Sequence, residues 1–416
     1  MPEAIEETSG RPIRLTSAKY DPMQVLESTR HLTPADFRPV GRALQDLGQV
    51  KVQLVVLVLL LGLSIAERSC AGEESGAAER TMGVIRGDCK KCHPSEVSAW
   101  MKSTHFFSAD LRLASFSGNT QKYAQAMNID RKNLMTNSVC ADCHGTRAWN
   151  GSELAVVSGV SCEKCHGAAG GDDGWLNRHQ SYHASRVIPR QQETTEHRQQ
   201  RIDFCTKAGM VRSEDIPGLA RACYRCHLIS NETLVSAGHK LASTFEFVGW
   251  SEGEIRHNFL TNRNVNAAAP SLWLESTGGS VEQRRRLKFV IGTLVQLEMT
   301  LRARAEATSP VLIPQLGGQV AAANGRLMQI NGMAPTEEVA AVSGLVTPML
   351  GLLFAAQPGD EKTYSEAADT VAKLTEAFQQ EHDGSQLTAL DALIAASPPH
   401  YSQQFRERYM PQPFAP

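Results

Sequence analysis

The chain has 416 residues, 42% of them hydrophobic and only 6% aromatic, with 42 basic side chains against 44 acidic ones. So even a balance argues against nucleic acid as a partner, and the length exceeds one average domain. Ten cysteines would suit a disulfide scaffold, but their spacing assigns most of them elsewhere.

Residues 1–50 are polar, mixed in charge and without a motif. Residues 52–66 (VQLVVLVLLLGLSIA) are strongly apolar. That run fits a signal-peptide core better than a spanning helix, which needs roughly 20 residues. Arg38, Arg42 and Lys51 place positive charge on its N-terminal side, and Ser69-Cys70-Ala71 offers small residues for cleavage after Ala71. The expectation is an exported chain, its leader either cleaved or kept as an anchor through 52–66. In the first case residues 1–49 would lie ahead of the true start. Glu67 and Arg68 argue against lipidation at Cys70.

The pentapeptide Cys-x-x-Cys-His occurs at residues 89–93, 140–144, 162–166 and 223–227. At this chain's composition, chance predicts about 0.01 copies. It is the attachment signature of haem c: two thiols add across the porphyrin vinyl groups, and the histidine becomes the proximal iron ligand. The covalent positions are Cys89, Cys92, Cys140, Cys143, Cys162, Cys165, Cys223 and Cys226, and the proximal ligands His93, His144, His166 and His227. Structural zinc would not need a histidine after every second cysteine, and a thioredoxin-type motif would come once, beside a βαβ pattern. Only Cys70 and Cys205 remain, so disulfides do not hold this fold. Four covalent haems are expected, attached outside the cytoplasmic membrane, in the periplasm or an equivalent compartment.

Three regions follow: an extension and leader (1–71), a haem-bearing part (72–265) and a cysteine-free helical part (266–416). After the first motif the segment SEVSAWMKSTHF reads as one helix ending near His105. The short gap between the second and third motifs makes their haems neighbours. Residues 167–174 form a glycine-rich loop, and 178–200 a polar stretch covering haem edges. Ser280-Val-Glu-Gln283 is a capping box opening a helix over 281–307. Residues 339–356 read as a buried helix kinked at Pro348, and 361–380 and 387–396 complete a bundle. Arg284-Arg285-Arg286 reads as a solvated helix face rather than as a partner for haem carboxylates. The fold class is therefore mainly α with long irregular loops.

A haem iron has a second axial position, which sets its reactivity. Thirteen histidines less four proximal ones leave nine. His31 precedes the export signal, and His382 and His400 lie in the helical tail as surface residues. The candidates are His105, His179, His183, His197, His239 and His257, of which His105, His179 and His239 have the most distinctive surroundings.

Gly-Val-x-Cys-Glu-x-Cys-His-Gly at 159–167, Ser98-Ala99-Trp100 with Ser103-Thr104-His105, Trp175-Leu-x-x-His179, and Ala237-Gly238-His239 with Phe245-Glu246-Phe247 resemble segments of the cytochrome c-554 type of tetrahaem cytochrome and its multihaem relatives. The resemblance covers roughly residues 85–260. It implies that His105 caps the third haem, that His179 or His183 caps the first, and that His239 or His257 caps the fourth. The second haem can be five-coordinate in such proteins, unless His183, His197 or His257 closes it here. The resemblance further implies single-electron transfer between a redox donor and acceptor. A hydroxylamine-oxidising-type enzyme or a quinone-linked membrane protein is the implied partner. An open second haem would instead permit reduction of a small nitrogen oxide. If the helical tail serves only to dock a partner, residues 266–416 could be removed without loss of the haem spectra.

Overall fold

The structure is a computed structural model; it describes residues 88–149, 152–171, 174–181, 193–242, 245–255, 279–357 and 359–396. The leader run 52–66, Cys70, His31, His183, His257 and His400 lie outside the described residues.

Helices dominate, as expected. α1 (Asp88–Cys92) and α2 (Pro94–Trp100) are followed by α3 (Thr104–Ala109), a π-helical turn (Asp110–Ala114), α4 (Gly118–Ala126) and α5 (Ser138–His144). One antiparallel hairpin, β1 (Thr146–Trp149) with β2 (Leu154–Ser158), pairs Arg147 with Val156 and Trp149 with Leu154. Then come α6 (Cys162–His166), α7 (Trp175–Ser181), α8 (Thr195–Lys207), α9 (Ile216–His227), α10 (Glu232–Ser236) and α11 (Phe247–Trp250), the last running into a π-helical turn (Ser251–Ile255). The tail holds α12 (Val281–Glu306), α13 (Leu312–Met333), α14 (Glu337–Val346), α15 (Asp360–Glu381) and α16 (Asp391–Ala395).

The segment after the first motif is two helices, not one. Ser103 takes an extended conformation and its hydroxyl caps the Phe106 amide, so the chain turns and restarts. His105 thereby falls in the first turn of a new helix. The capping box forms as expected: the Ser280 hydroxyl accepts from the Gln283 amide at 3.1 Å, and Gln283 Oε1 accepts from the Ser280 amide at 2.5 Å. At Pro348, α14 gives way to a 3-10 turn (Thr347–Leu352). That segment is only half inside, since Val339, Val342, Val346 and Leu353 are buried while Leu352 and Phe354 are exposed. Among the described residues no helix is long and apolar enough to cross a membrane.

The division at residue 265 does not separate two cores. Ile216, Ala220 and Tyr224 of α9 and Phe247 and Val248 of α11 share one apolar cluster with Phe289, Val290 and Leu294 of α12, Leu316 of α13 and Val371 of α15. Burying a stripe on both faces of the join is what bonds the elements. Arg221 on α9 adds ion pairs to Glu298 of α12 at 2.9 Å and Glu376 of α15 at 2.8 Å. The basic run at 284–286 is likewise not a solvated face. Arg284 and Arg286 are buried, Arg285 pairs with Glu252 at 3.0 Å, and Arg286 with Asp391 at 2.7 Å.

Candidate functional site

All four Cys-x-x-Cys-His motifs are helical: the second and fourth close α5 and α9, the third makes up α6, and the first fills α1 with His93 just beyond it. Cysteines three apart on a helix share one face, so both sulfurs can meet one edge of a macrocycle. Among the described residues the cysteine side chains are free thiols. Cys89 lies beside Cys162 and Cys143 beside Cys226, which brings the first motif to the third and the second to the fourth. The second and third motifs also touch, through Lys164 and Asp142 at 4.0 Å.

The glycines bracketing the third motif have steric reasons. A Cβ at Gly159 would fall 2.2 Å from the His105 carbonyl oxygen and 2.3 Å from that of Phe106. At Gly167 the backbone has φ +85°, and a Cβ would fall 2.1 Å from the Gly209 oxygen. Between them, Trp100 Nε1 donates to the Val160 carbonyl at 2.7 Å, and the Val160 amide donates to Ser108 Oγ at 3.0 Å. Glu163, itself buried, accepts from the Ala169 amide at 3.0 Å. The stretch is thus clamped onto α2 and α3.

Three motif histidines each face a histidine from elsewhere in the chain. His93 and His179 have ring centroids 6.3 Å apart with planes 15° from parallel. His105 and His227 are 6.2 Å apart at 71°, and His144 and His239 are 6.4 Å apart at 50°. With a metal–imidazole bond of about 2 Å on each side, two rings sharing one iron stand roughly 6 Å apart between centroids. The spacing fits a haem iron between each pair. Among the described residues no three His, Cys, Asp or Glu side chains gather as they would around a bare ion; a haem iron needs only one side chain on each face.

The pairs differ from two of the expected connections. His105 faces the fourth motif and not the third. The third-motif stretch packs on the carbonyl side of the α3 turn, while the His105 ring reaches His227. His239 faces the second motif and not the fourth. After α9 the chain folds back, with the Ile229 amide donating to the Leu241 carbonyl at 2.6 Å, and Gly238 at φ +92° turns His239 toward α4. There Tyr123 donates to the Gly238 carbonyl at 3.1 Å and its ring lies 5.1 Å from that of His239. The second motif, left between an open iron and closure by His183, His197 or His257, thus has His239 opposite its own histidine. His166 of the third motif has Nδ1 2.8 Å from the Val211 carbonyl oxygen; with the proton on Nδ1, Nε2 is left for a metal. His197 instead pairs with Glu193 at 2.9 Å, His382 with Glu338 at 3.1 Å, and Cys205 is a fully buried thiol.

Burial favours the neutral form, the form that binds metal, at three of these histidines. It lowers His105 and His166. His144 falls to about 4, first through burial and then through His239 and Arg112.

A cavity of about 420 Å³ joins these parts, lined by Cys89, His93, His105, Cys162, His166, His179 and Cys223. Arg284 and Lys288 of α12 also line it: Arg284 is not on the solvated face expected of it, and Lys288 was missed by sequence reasoning. Their spacing of four on a capped helix, which puts both on one face, was the available signal. Burial lowers Lys288 to about 8 and Arg284 to about 10. Sequence reasoning also passed over Glu254, a buried carboxylate on the turn after α11 that accepts the Thr104 amide beside His105.

No curated protein and no solved structure matches the chain. Residues 88–167 match the family model described as cytochrome c554 and c-prime, a segment that contains the first three attachment motifs. Over that segment the chain is similar to the cytochrome c554 family, a likeness that supports a c-type cytochrome of electron transport with covalently attached haem c.

Proposed function

We propose that this is an exported tetrahaem cytochrome that passes single electrons between a redox donor and a redox acceptor. The observation that carries the reading is the three facing histidine pairs, each uniting an attachment motif with a distant part of the chain. Haem supplies the one-electron chemistry when bound. The chain's own residues supply its placement: eight cysteines hold the edges, four motif histidines hold one face, and His179, His227's partner His105, and His239 close the other. Closed irons suit electron transfer and resist side reactions. The nearness of Cys89 to Cys162, and of Cys143 to Cys226, supports close spacing of the cofactors along one path.

The partner class proposed from the resemblance is a hydroxylamine-oxidising-type enzyme or a quinone-linked membrane protein. Export, with or without retention through 52–66, follows from where haem attachment is made. The test is intact mass with a pyridine haemochrome count, followed by EPR of the oxidised protein. Four covalent haems with low-spin signals at the first, second and fourth motifs are expected. Fewer than four would break the tetrahaem reading, and a high-spin haem at the second motif would restore the nitrogen-oxide reductase alternative.

A further inference from the structure

Both of the histidines that face each other at the fourth motif are touched by one segment, residues 245–255. The Phe245 ring stacks on His227, with centroids 4.5 Å apart and planes 17° from parallel. Trp250 stands 5.3 Å from the same imidazole at 63°. On the π-helical turn that follows, Glu254 is buried and reaches the helix of the opposite histidine. Its carboxylate accepts from the amide of Thr104, the first residue of α3 and the neighbour of His105. Its charge also acts on the His105 ring. The segment is in turn fixed to the tail. Glu246 caps α11 by accepting the Val248 and Gly249 amides at 2.9 and 2.7 Å. Phe247 lies so close to α12 that a Cβ at Gly292 would fall 2.7 Å from its own. Arg285 holds Glu252 at 3.0 Å, and Lys288 donates to Ser251 Oγ at 2.6 Å.

An axial imidazole serves only while it is aimed at the iron, and the groups behind it hold that aim. The first amides of a helix have no partner within it, so a buried carboxylate there ties the turn to a second element. α3 has six residues, too few to hold its course unaided. We propose that Glu254 is a positioning residue for the iron of the fourth motif, holding the first turn of α3 so that His105 stays turned toward His227. With Phe245 on the other ring, one segment braced by α12 sets both axial ligands. The inference rests on the tetrahaem reading above, with an iron between His105 and His227. Glu254 lies beyond the segment that matches the family. Without its carboxylate the turn is released, His105 leaves the iron more often, and an outside ligand finds the site open.

The test is carbon monoxide titration of the reduced, loaded full-length protein. It compares the unaltered chain with Glu254→Ala, Glu254→Gln, His105→Ala and the double variant of Glu254→Ala with His105→Ala. In Glu254→Ala the apparent affinity of one haem rises about tenfold, as one lost hydrogen bond to a charged group implies. Glu254→Gln stays within about threefold of the unaltered protein, because its amide oxygen still accepts the Thr104 N–H. Glu254→Ala opens the same haem that His105→Ala opens, and in the double variant it adds less than about twofold. Affinities unchanged in Glu254→Ala, a different haem opened by it, additive effects, or a Gln variant equal to the Ala variant would overturn the proposal. If Glu254→Ala loads fewer haems, mass mapping decides: loss confined to Cys223 and Cys226 supports it, and loss spread over all motifs overturns it. A haem count below four, or no haem opened by His105→Ala, breaks the reading above. One haem opened by His105→Ala and none by Glu254→Ala breaks this inference alone.

Discussion

In the tetrahaem proposal, single side chains decide which iron is closed and by what. His105 and His239 each stand opposite one motif histidine at 6.2 and 6.4 Å. Replacing either by Ala removes one axial nitrogen and leaves the other pairs intact. We expect one low-spin haem to become high-spin in each variant and two in the double variant. EPR of the oxidised protein reads this, and an unchanged spectrum in His105→Ala removes that residue as a ligand. A different group tests the acid side of stability. Arg201, and then His197, hold the Glu193 carboxyl at about 2, below its ordinary 4.5. The folded value lies below the unfolded one, so the stabilisation is complete above pH 4.5 and fades as pH falls toward 2. The Glu193 side chain is only 2% exposed, so solvent screening is small. Glu193→Gln should cost about 2 kcal/mol at neutral pH and flatten the loss of stability between pH 4.5 and 2, as measured by denaturant melts at fixed pH.

Among the elements, α12 carries the most. Val290, Ile291, Leu294, Leu297 and Leu301 are wholly buried along it, and it begins with a capping box and ends beside a buried cation. Arg304, fully enclosed, donates to the carbonyls of Leu353 and Ala355 at 3.0 and 2.9 Å and to Asp360 at 2.8 Å. Its guanidinium lies 4.6 Å from the Tyr364 ring centroid. The one side chain thus ties α12 to the turn after α14 and to the start of α15. Arg304→Met leaves the Leu353 and Ala355 carbonyls without this donor and Asp360 without its cation. It should destabilise the protein by about 3–5 kcal/mol, far more than Ser280→Ala at the helix start, which should cost about 1 kcal/mol. Urea melts comparing the two variants check the ranking. The helix was legible from its capping box and its apolar spacing. That it is buried on nearly every side, with Arg284 and Lys288 turned into the cavity, was not, because a basic run on a helix reads alike whether it faces water or a cofactor.

At the scale of the whole molecule, the cluster running from α9 through α12 to α15 makes the tail part of the haem-bearing body. Ending the chain at residue 278 strips the apolar cover from Ile216, Ala220 and Tyr224 and removes two ion-pair partners of Arg221, Glu298 and Glu376. We expect such a truncation to yield no soluble protein with native haem spectra. Recovery of a soluble fragment with all its Soret absorbance would show that the tail is a removable docking element after all. The candidate attachment residues stand out in the sequence because the chemistry they suit is local: thioether formation and proximal ligation use five consecutive residues, and no other part of the chain can change that spacing. The mainly helical class was readable from periodicity for the same reason. Which distant histidine meets which motif was decided by tertiary structure alone. The break at Ser103, the contact of Gly159 with the α3 carbonyls and the positive φ of Gly238 aim His105 and His239 at the fourth and second motifs. Those directions depend on helices packed far apart in sequence, and a ligand pair exists only where two such paths meet.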